Sequence, residues 1–236
     1  MNHSGPEPEF IRDLFDNISE RYDRANDVIT IGLARRWRKE LVTWSGAREG
    51  QRVLDCATGT GDLAIEFKKA VGETGKVIGI DFSTGMLKLA PEKAKKENIE
   101  ITFELGDVMN LNYPNEEFDI VSIAYGIRNV QSPLVALKEM ARVAKSGGSV
   151  MILETGETEI PVMRKMVNFY FEHVVPRLGG WVSGKRDAYE YLQSSSRTFP
   201  SGEAFVELMR QSQAFSKLEY RSIMGGASFM YKGIVN

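Results

Sequence analysis

Three carboxylates and a pair of glycines mark where this chain can do chemistry. Asp55 closes the apolar pair Val53-Leu54, and Gly59 and Gly61 follow in Ala57-Thr-Gly-Thr-Gly-Asp62. Asp81 ends the run Lys76-Val-Ile-Gly-Ile-Asp81, and Asp107 follows Gly106 after Ile99–Leu105. An apolar run, a glycine turn and a helix together open a nucleotide-binding βαβ unit. Gly59-x-Gly61-x-x-Ala64, with Asp81 20 residues after Gly61, permits a dinucleotide such as NAD.

Asp55 and Asp107 favour a different ligand. A dinucleotide sets two phosphate charges beside the glycine turn, where an unpaired carboxylate repels them. S-adenosylmethionine has no phosphate, and its ammonium and sulfonium are attracted to such a carboxylate. Asp107 can accept a hydrogen bond from the adenine amino group, and Asp81 can take both ribose hydroxyls. Phe82 and Met86 can pack on the adenine faces.

These residues need strands that end on one rim. Val53–Asp55, Lys76–Asp81, Ile99–Leu105, Phe118–Ala124 and Ser149–Glu154 read as strands with helices between them. Asp62 is placed to cap a helix carrying Leu63, Phe67 and Val71 that stops at Gly72. Ser83 caps the next, which holds Met86 and Leu89 and which Pro91 breaks. Ser132 and Pro133 open a third, with Leu134, Leu137 and Ala141 inward, ending at Gly147-Gly148. Such alternation predicts a parallel sheet covered on both faces. Right-handed crossovers then gather Asp55, Asp81, Asp107, Ala124–Asn129 and Glu154 on one rim.

Before the first strand, Phe10, Leu14 and Ile18 recur every four positions. Leu33–Trp44 sets Trp37, Leu41 and Trp44 against Arg35, Arg36, Arg38 and Lys39. Two helices covering the site are expected, with the basic side either a solvated face or one drawn to an anionic membrane. Met163 to Val175 reads as a long apolar helix, followed by a turn at Gly179-Gly180-Trp181. Glu203–Ser212 reads as a helix, and Leu218–Met224 with Ala227–Val235 as a hairpin.

The 236 residues suit one domain: a helical cover at 1–45, a cofactor core at 46–155, a helical substrate insertion at 156–200, and a helix and hairpin at 201–236. A net charge of −2 gives no bias toward nucleic acid. Cys56 is the single cysteine, which excludes an internal disulfide, and it reads as a small buried hydrophobe. Met1–Glu9 lacks the apolar run of an export signal, and no stretch reaches the ~18–20 apolar residues of a membrane span. A cytoplasmic location follows, with contact at the inner face of the membrane left open.

Val53–Asp62 resembles the cofactor motif of class I methyltransferases. Leu14-Phe15-Asp16, Arg21-Tyr22-Asp23, Asn26-Asp27, Gly32 and Trp37 resemble the amino-terminal signature of the ubiquinone/menaquinone C-methyltransferases. Tyr125–Val130 resembles their Phe/Tyr-Gly-Leu/Ile-Arg-Asn-Val motif, and Tyr189-x-Tyr191-Leu192 through Ser195 to Phe199-Pro200 their carboxyl-terminal signature. The resemblance spans residues 10–235. It implies an α/β fold: a seven-stranded, mostly parallel Rossmann-like sheet with one antiparallel strand, helices on both faces and a helical lid. It implies cofactor contacts at Thr60, Asp81, Asp107, Val108 and the Ala124 position, beside Asp55, Gly59, Gly61, Phe82 and Met86. Some relatives carry serine at Ala124, and many carry histidine at Tyr231.

The implied reaction is methyl transfer to a ring carbon of a polyprenyl quinol, with S-adenosylhomocysteine as product. A ring carbon becomes nucleophilic once a neighbouring hydroxyl loses its proton. Arg128 and Asn129 are the candidates for holding the ring hydroxyls, Arg128 by stabilising a phenolate or polarising a water. Tyr22 is placed to close over them. No metal is expected, since His3 and His173 lack ligand partners at suitable spacing. His173 reads as structural, and Met163–Trp181 as a guide for the isoprenoid tail. Demethylmenaquinol is favoured over the methoxy-benzoquinol precursor of ubiquinone because little precedes the first motif. A homodimer, another small phenolic substrate and a non-catalytic binding protein stay open.

Overall fold

A computed structural model of the chain describes residues 5–156, 191 and 194–236. Its strands are β1 (Arg52–Cys56), β2 (Lys76–Asp81), β3 (Thr102–Leu105), β4 (Phe118–Ala124), β5 (Ala144–Thr155), β6 (Phe215–Ile223) and β7 (Ser228–Val235). They form one seven-stranded sheet in the order β3-β2-β1-β4-β5-β7-β6. β1 to β5 run parallel, and β7 is antiparallel to both its neighbours. The expected sheet and the terminal hairpin are both present.

Each central strand serves two cores because successive side chains leave opposite faces. Leu54, Val121 and Ile152 join Leu137, Met140, Phe205 and Met209 on one face. Val53, Ile120 and Met151 join Trp37, Leu41, Leu63 and Phe67 on the other. This is why β1, β4 and β5 read as continuous apolar runs rather than alternating ones. The strand order turns back between β1 and β4, and a crevice opens there beyond their carboxyl ends.

Several boundaries differ from the sequence reading. Gly61, at φ 87°, takes the cap position of α3 (Asp62–Val71), so Asp62 is the first helical residue and its carboxylate serves an ion pair instead. Ser83 does cap α4 (Thr84–Leu87), its Oγ accepting from Met86 N–H. Pro91 sits in the first turn of α5 (Ala90–Lys96), so the break falls before it. The helix α6 (Pro133–Val143) ends ahead of Gly147-Gly148, and the strand takes up the glycine pair as an irregularity between the Phe118↔Ala144 and Ile120↔Ser149 pairs. Met163–Trp181, with His173, and also Tyr189 and Leu192, lie outside the described residues.

α1 (Pro8–Thr30) and α2 (Leu33–Ser45) precede the sheet. Leu14 and Ile18 are buried as the spacing requires, but Ile11 takes the inward place expected of Phe10, which is 49% exposed. α1 keeps a small apolar cluster of its own, Leu14 and Ile18 against Met86 of α4, apart from the two main cores. A polar clasp supplements it. Asp16 Oδ1 accepts from Ser83 Oγ and from Gly85 N–H at 2.8 Å. Burial acts to raise the Asp16 pKa, and these hydrogen bonds outweigh it, so the carboxyl sits below its usual value. A depressed carboxylate contributes stability above its unfolded pKa and loses it as pH falls through the folded one. Acidification below about pH 4 should therefore release α1 before the sheet unfolds. Hydrogen exchange should show faster exchange over residues 8–30 at that pH. Asp16→Asn should shift that release to neutral pH, and α1 protection unchanged in the variant would refute the clasp.

Candidate active site

The crevice between β1 and β4 continues into a cavity roofed by α1. The roof is Pro8, Ile11, Phe15 and Tyr22, and the walls include Gly59, Asp81, Phe82, Met86, Asp107, Val108, Ala124 and Asn129. Nine residues singled out in the sequence thus meet in one space: Tyr22, Gly59, Asp81, Phe82, Met86, Asp107, Val108, Ala124 and Asn129. Asp55, Thr60, Gly61 and Arg128 do not line it.

The side of the cavity beside the glycine turn rests on backbone geometry. Gly59 is at φ 59°, and space is open where a Cβ would stand, so the backbone itself forms that wall. Gly61 is packed more tightly, since a Cβ there would lie 3.0 Å from the Phe103 ring. Asp81 accepts from Gly59 N–H at 2.7 Å and from Ser83 N–H at 2.8 Å, which joins the β2 end to the glycine turn. Burial raises the Asp81 pKa against these two bonds. Asp107 accepts from Met109 N–H at 2.8 Å through Oδ1, a local turn that holds the carboxylate at the wall.

Asp55 lies behind this wall and is 1% exposed. Its oxygens accept from Thr58 Oγ1 and Ser122 Oγ, both at 2.7 Å. Burial without a contacting cation pushes its pKa up to about 6, and the two hydroxyls offset only part of this.

Thr60 faces α1. Its hydroxyl donates to Asp23 at 2.6 Å and accepts from Lys93 at 3.0 Å, and Lys93 also pairs with Asp23 and Asp62. Arg38, expected on the solvated side of α2, is 8% exposed, pairs with Asp62 at 3.0 Å and lies over the Tyr125 ring. Burial acts to raise the Asp62 pKa, but Arg38 and Lys93 hold it below the usual range. The reason is topological: the start of α3 brings an acid to that side of α2. One charged network thus joins α1, α2, the glycine turn and α5.

The opposite side of the cavity is built on Tyr125-Gly-Ile-Arg-Asn129. Tyr125 is at φ 58°, a strained setting for an aromatic residue, and it turns the chain out of β4. Its carbonyl accepts from Arg128 Nη1 at 2.7 Å and from Asn129 Nδ2 at 3.4 Å. Arg128 is buried and pairs with Glu154 at 2.6 Å. Burial works to lower the Arg128 pKa, and Glu154 outweighs it. Asn129 Oδ1 accepts from Tyr191 at 3.0 Å.

A model of the ubiE/COQ5 methyltransferase family matches residues 4–235. The chain belongs to that family. Ubiquinone/menaquinone biosynthesis C-methyltransferase UbiE of Bdellovibrio bacteriovorus is 53% identical over 235 residues, covering 100% of both chains. Demethylmenaquinone methyltransferase of Staphylococcus aureus is 41% identical over 226 residues, 95% of this chain and 92% of that one. A SAM dependent methyltransferase from Aquifex aeolicus shares the fold, with a TM-score of 0.62 at 19% identity over 84% of this chain and 89% of that one.

The separated family motifs meet around this cavity. Asp16 and Asp23 hold α1 down, Tyr22 roofs the cavity, and Asn129 and Tyr191 touch each other. Glu154 was legible only as an acid at a strand end. Its partner became visible through the pairing of Ala124 with Leu153, which sets the β4 and β5 ends side by side. Tyr231, where many relatives have histidine, is 1% exposed and its hydroxyl accepts from Gly202 N–H at 2.8 Å.

Asp55 supplies a pH signature. Its folded pKa of about 6 lies above the usual 3.8, so its contribution to stability is full below 3.8 and lost as pH rises through 6. The loss is on the order of 3 kcal/mol at neutral pH. Thermal melts of Asp55→Asn should gain on the native chain between pH 4 and 7. A difference in Tm that stays constant across that window would refute the assignment.

Proposed function

We propose that this chain transfers a methyl group from S-adenosylmethionine to the ring carbon of a polyprenyl quinol, demethylmenaquinol or the equivalent methoxy-benzoquinol. The observation that carries the reading is that Tyr22 and Asn129 line the same cavity as Asp81 and Asp107. The donor and acceptor motifs therefore share one space. The names of the two family relatives support the same substrate class.

The residues suit the donor. Asp55 lies behind the cavity wall, buried and with no ion pair among the described residues, so a ligand bringing ammonium and sulfonium lowers the cost of its charge across that wall. Asp81 keeps acceptor capacity for ribose hydroxyls beyond the two N–H groups it holds. Phe82, Met86 and Val108 offer apolar faces to adenine, and Asp107 Oδ2 offers an acceptor for its amino group. When bound, S-adenosylmethionine supplies an electrophilic methyl group.

The acceptor side works by orientation and charge. Asn129 donates to a ring oxygen as it loses its proton, which favours the phenolate whose electron density reaches the ring carbon. Tyr22 and the rest of α1 exclude water. Arg128 is held by Glu154 behind the cavity wall, so it fixes the Tyr125–Asn129 turn and contributes positive potential from there. Asn129→Ala should lower kcat more than tenfold, a barrier rise above ~1.4 kcal/mol, with donor affinity nearly unchanged. Asp81→Ala should instead weaken donor binding in calorimetry. A wild-type chain that binds donor but leaves demethylmenaquinol and the benzoquinol unmethylated would sink the reading.

The tail of such a substrate lies in a bilayer, and the α1–α2 turn suits its surface. No helix among the described residues is long and apolar enough to cross a membrane. Ile31 is 77% exposed at φ 53°, a setting that costs a β-branched residue ~1–2 kcal/mol. The left-handed backbone closes α1 on the Asp27 and Val28 carbonyls, but the Ile31 side chain buries little in return. Arg36 and Lys39 are exposed on the first turns of α2 beside it, while Arg35 is paired with Asp27. The proposed role is contact with anionic lipid at the inner face of the membrane. Ile31→Gly should raise Tm by relieving strain, yet weaken sedimentation with phosphatidylglycerol vesicles. Equal vesicle binding by both proteins would remove the turn from membrane contact.

A further inference from the structure

The polar groups behind Asn129 form a chain with a direction. Arg128 Nε donates to Ser195 Oγ at 3.4 Å. Ser195 is also hydrogen-bonded to the Tyr191 side chain. Tyr191 in turn donates to Asn129 Oδ1 at 3.0 Å. A guanidinium has donors and no acceptor. Tyr191 has one hydroxyl hydrogen and gives it to Asn129, so Ser195, which accepts from Arg128, is the donor between the two hydroxyls. Glu154 anchors the starting point, because it holds Arg128 Nη1 at 2.6 Å.

We infer that Ser195 and Tyr191 are positioning residues that fix which end of the Asn129 carboxamide meets the substrate. An amide can turn over with little change of shape, so its sense must come from its partners. With Oδ1 taken by Tyr191 and one Nδ2 hydrogen directed at the Tyr125 carbonyl, the other Nδ2 hydrogen is the group left for the cavity. A donor there selects a phenolate oxygen over a neutral phenol. The chain therefore favours the ionised acceptor without a base touching it. A cation two hydroxyls away sets the polarity, and each link strengthens the next. The inference rests on the proposed phenolic substrate and adds to it how the site chooses the protonation state.

The test uses the full chain and 2-naphthol as a ring probe, read by its absorbance, together with turnover of demethylmenaquinol. In the native protein the half-ionisation of bound 2-naphthol should fall below its value in water. Tyr191→Phe removes the donor to Oδ1 and leaves the amide held only by its 3.4 Å bond to the Tyr125 carbonyl, so the half-ionisation point should rise again. The acid limb of the kcat profile should move to higher pH and kcat should drop more than tenfold, with S-adenosylmethionine affinity unchanged. Ser195→Ala should follow Tyr191→Phe in direction, and Ser195→Thr, which keeps the hydroxyl, should restore the native titration. Identical naphthol titrations in the native protein and both disruptive variants would overturn the inference. So would a native protein that leaves naphthol ionisation as in water. Absence of quinol turnover in the native chain, with naphthol ionisation shifted as expected, would count against the substrate reading alone.

Discussion

The proposed acceptor side of the cavity depends on one buried ion pair. Arg128 and Glu154 meet at 2.6 Å with side chains 6% and 2% exposed. They leave adjacent strands, β4 and β5, and each is costly to bury alone. Breaking such a pair by removing one partner typically costs ~3–5 kcal/mol, because the survivor is left uncompensated. The pair therefore locks the strand ends together. It also stops the strained Tyr125 turn from relaxing, since the same guanidinium holds the Tyr125 carbonyl. Asn129 is one residue further on, so its place in the cavity is inherited from that lock.

The proposed donor side is held in another way. Its walls are backbone and short local hydrogen bonds: Gly59 on Asp81, Ser83 on Asp81, Met109 on Asp107. These close within the ends of the strands and need nothing from the cover. The cover needs them. Asp16 fastens to the α4 cap and Asp23 to Thr60, so α1 is clasped to the same loops that form the donor wall. Its own apolar cluster is small and separate from the main cores. A roof held by a small apolar cluster and polar clasps over an independently stable floor is suited to opening without unfolding the sheet.

Much of this was legible in the residue order. Strand ends carrying Asp55, Asp81 and Asp107, with a glycine turn after the first, were sufficient to place the rim and to favour a phosphate-free cationic ligand. What misled the residue-by-residue reading was charge. Arg38 looked like one of four solvated basic residues, and Asp62 like a helix cap. Each is explained by the other, and they sit on helices whose packing no local pattern reveals. Thr60 likewise faces the cover. Asp55 is on the expected strand but one layer behind the cavity, because the register that pairs it with Ser122 turns its carboxylate into the sheet.

Sequence alone determined the alternation of strands and helices, the crevice at the point where strand order reverses, and the motifs that mark the family. Those follow from local rules: apolar period, turn chemistry and crossover handedness. Tertiary structure decided which polar groups face one another. Arg128 with Glu154, Thr60 with Asp23, and Tyr191 with Asn129 are separated by 26, 37 and 62 residues. Such pairs depend on register and on helix docking, and their energies depend on burial, which no residue carries in its own identity.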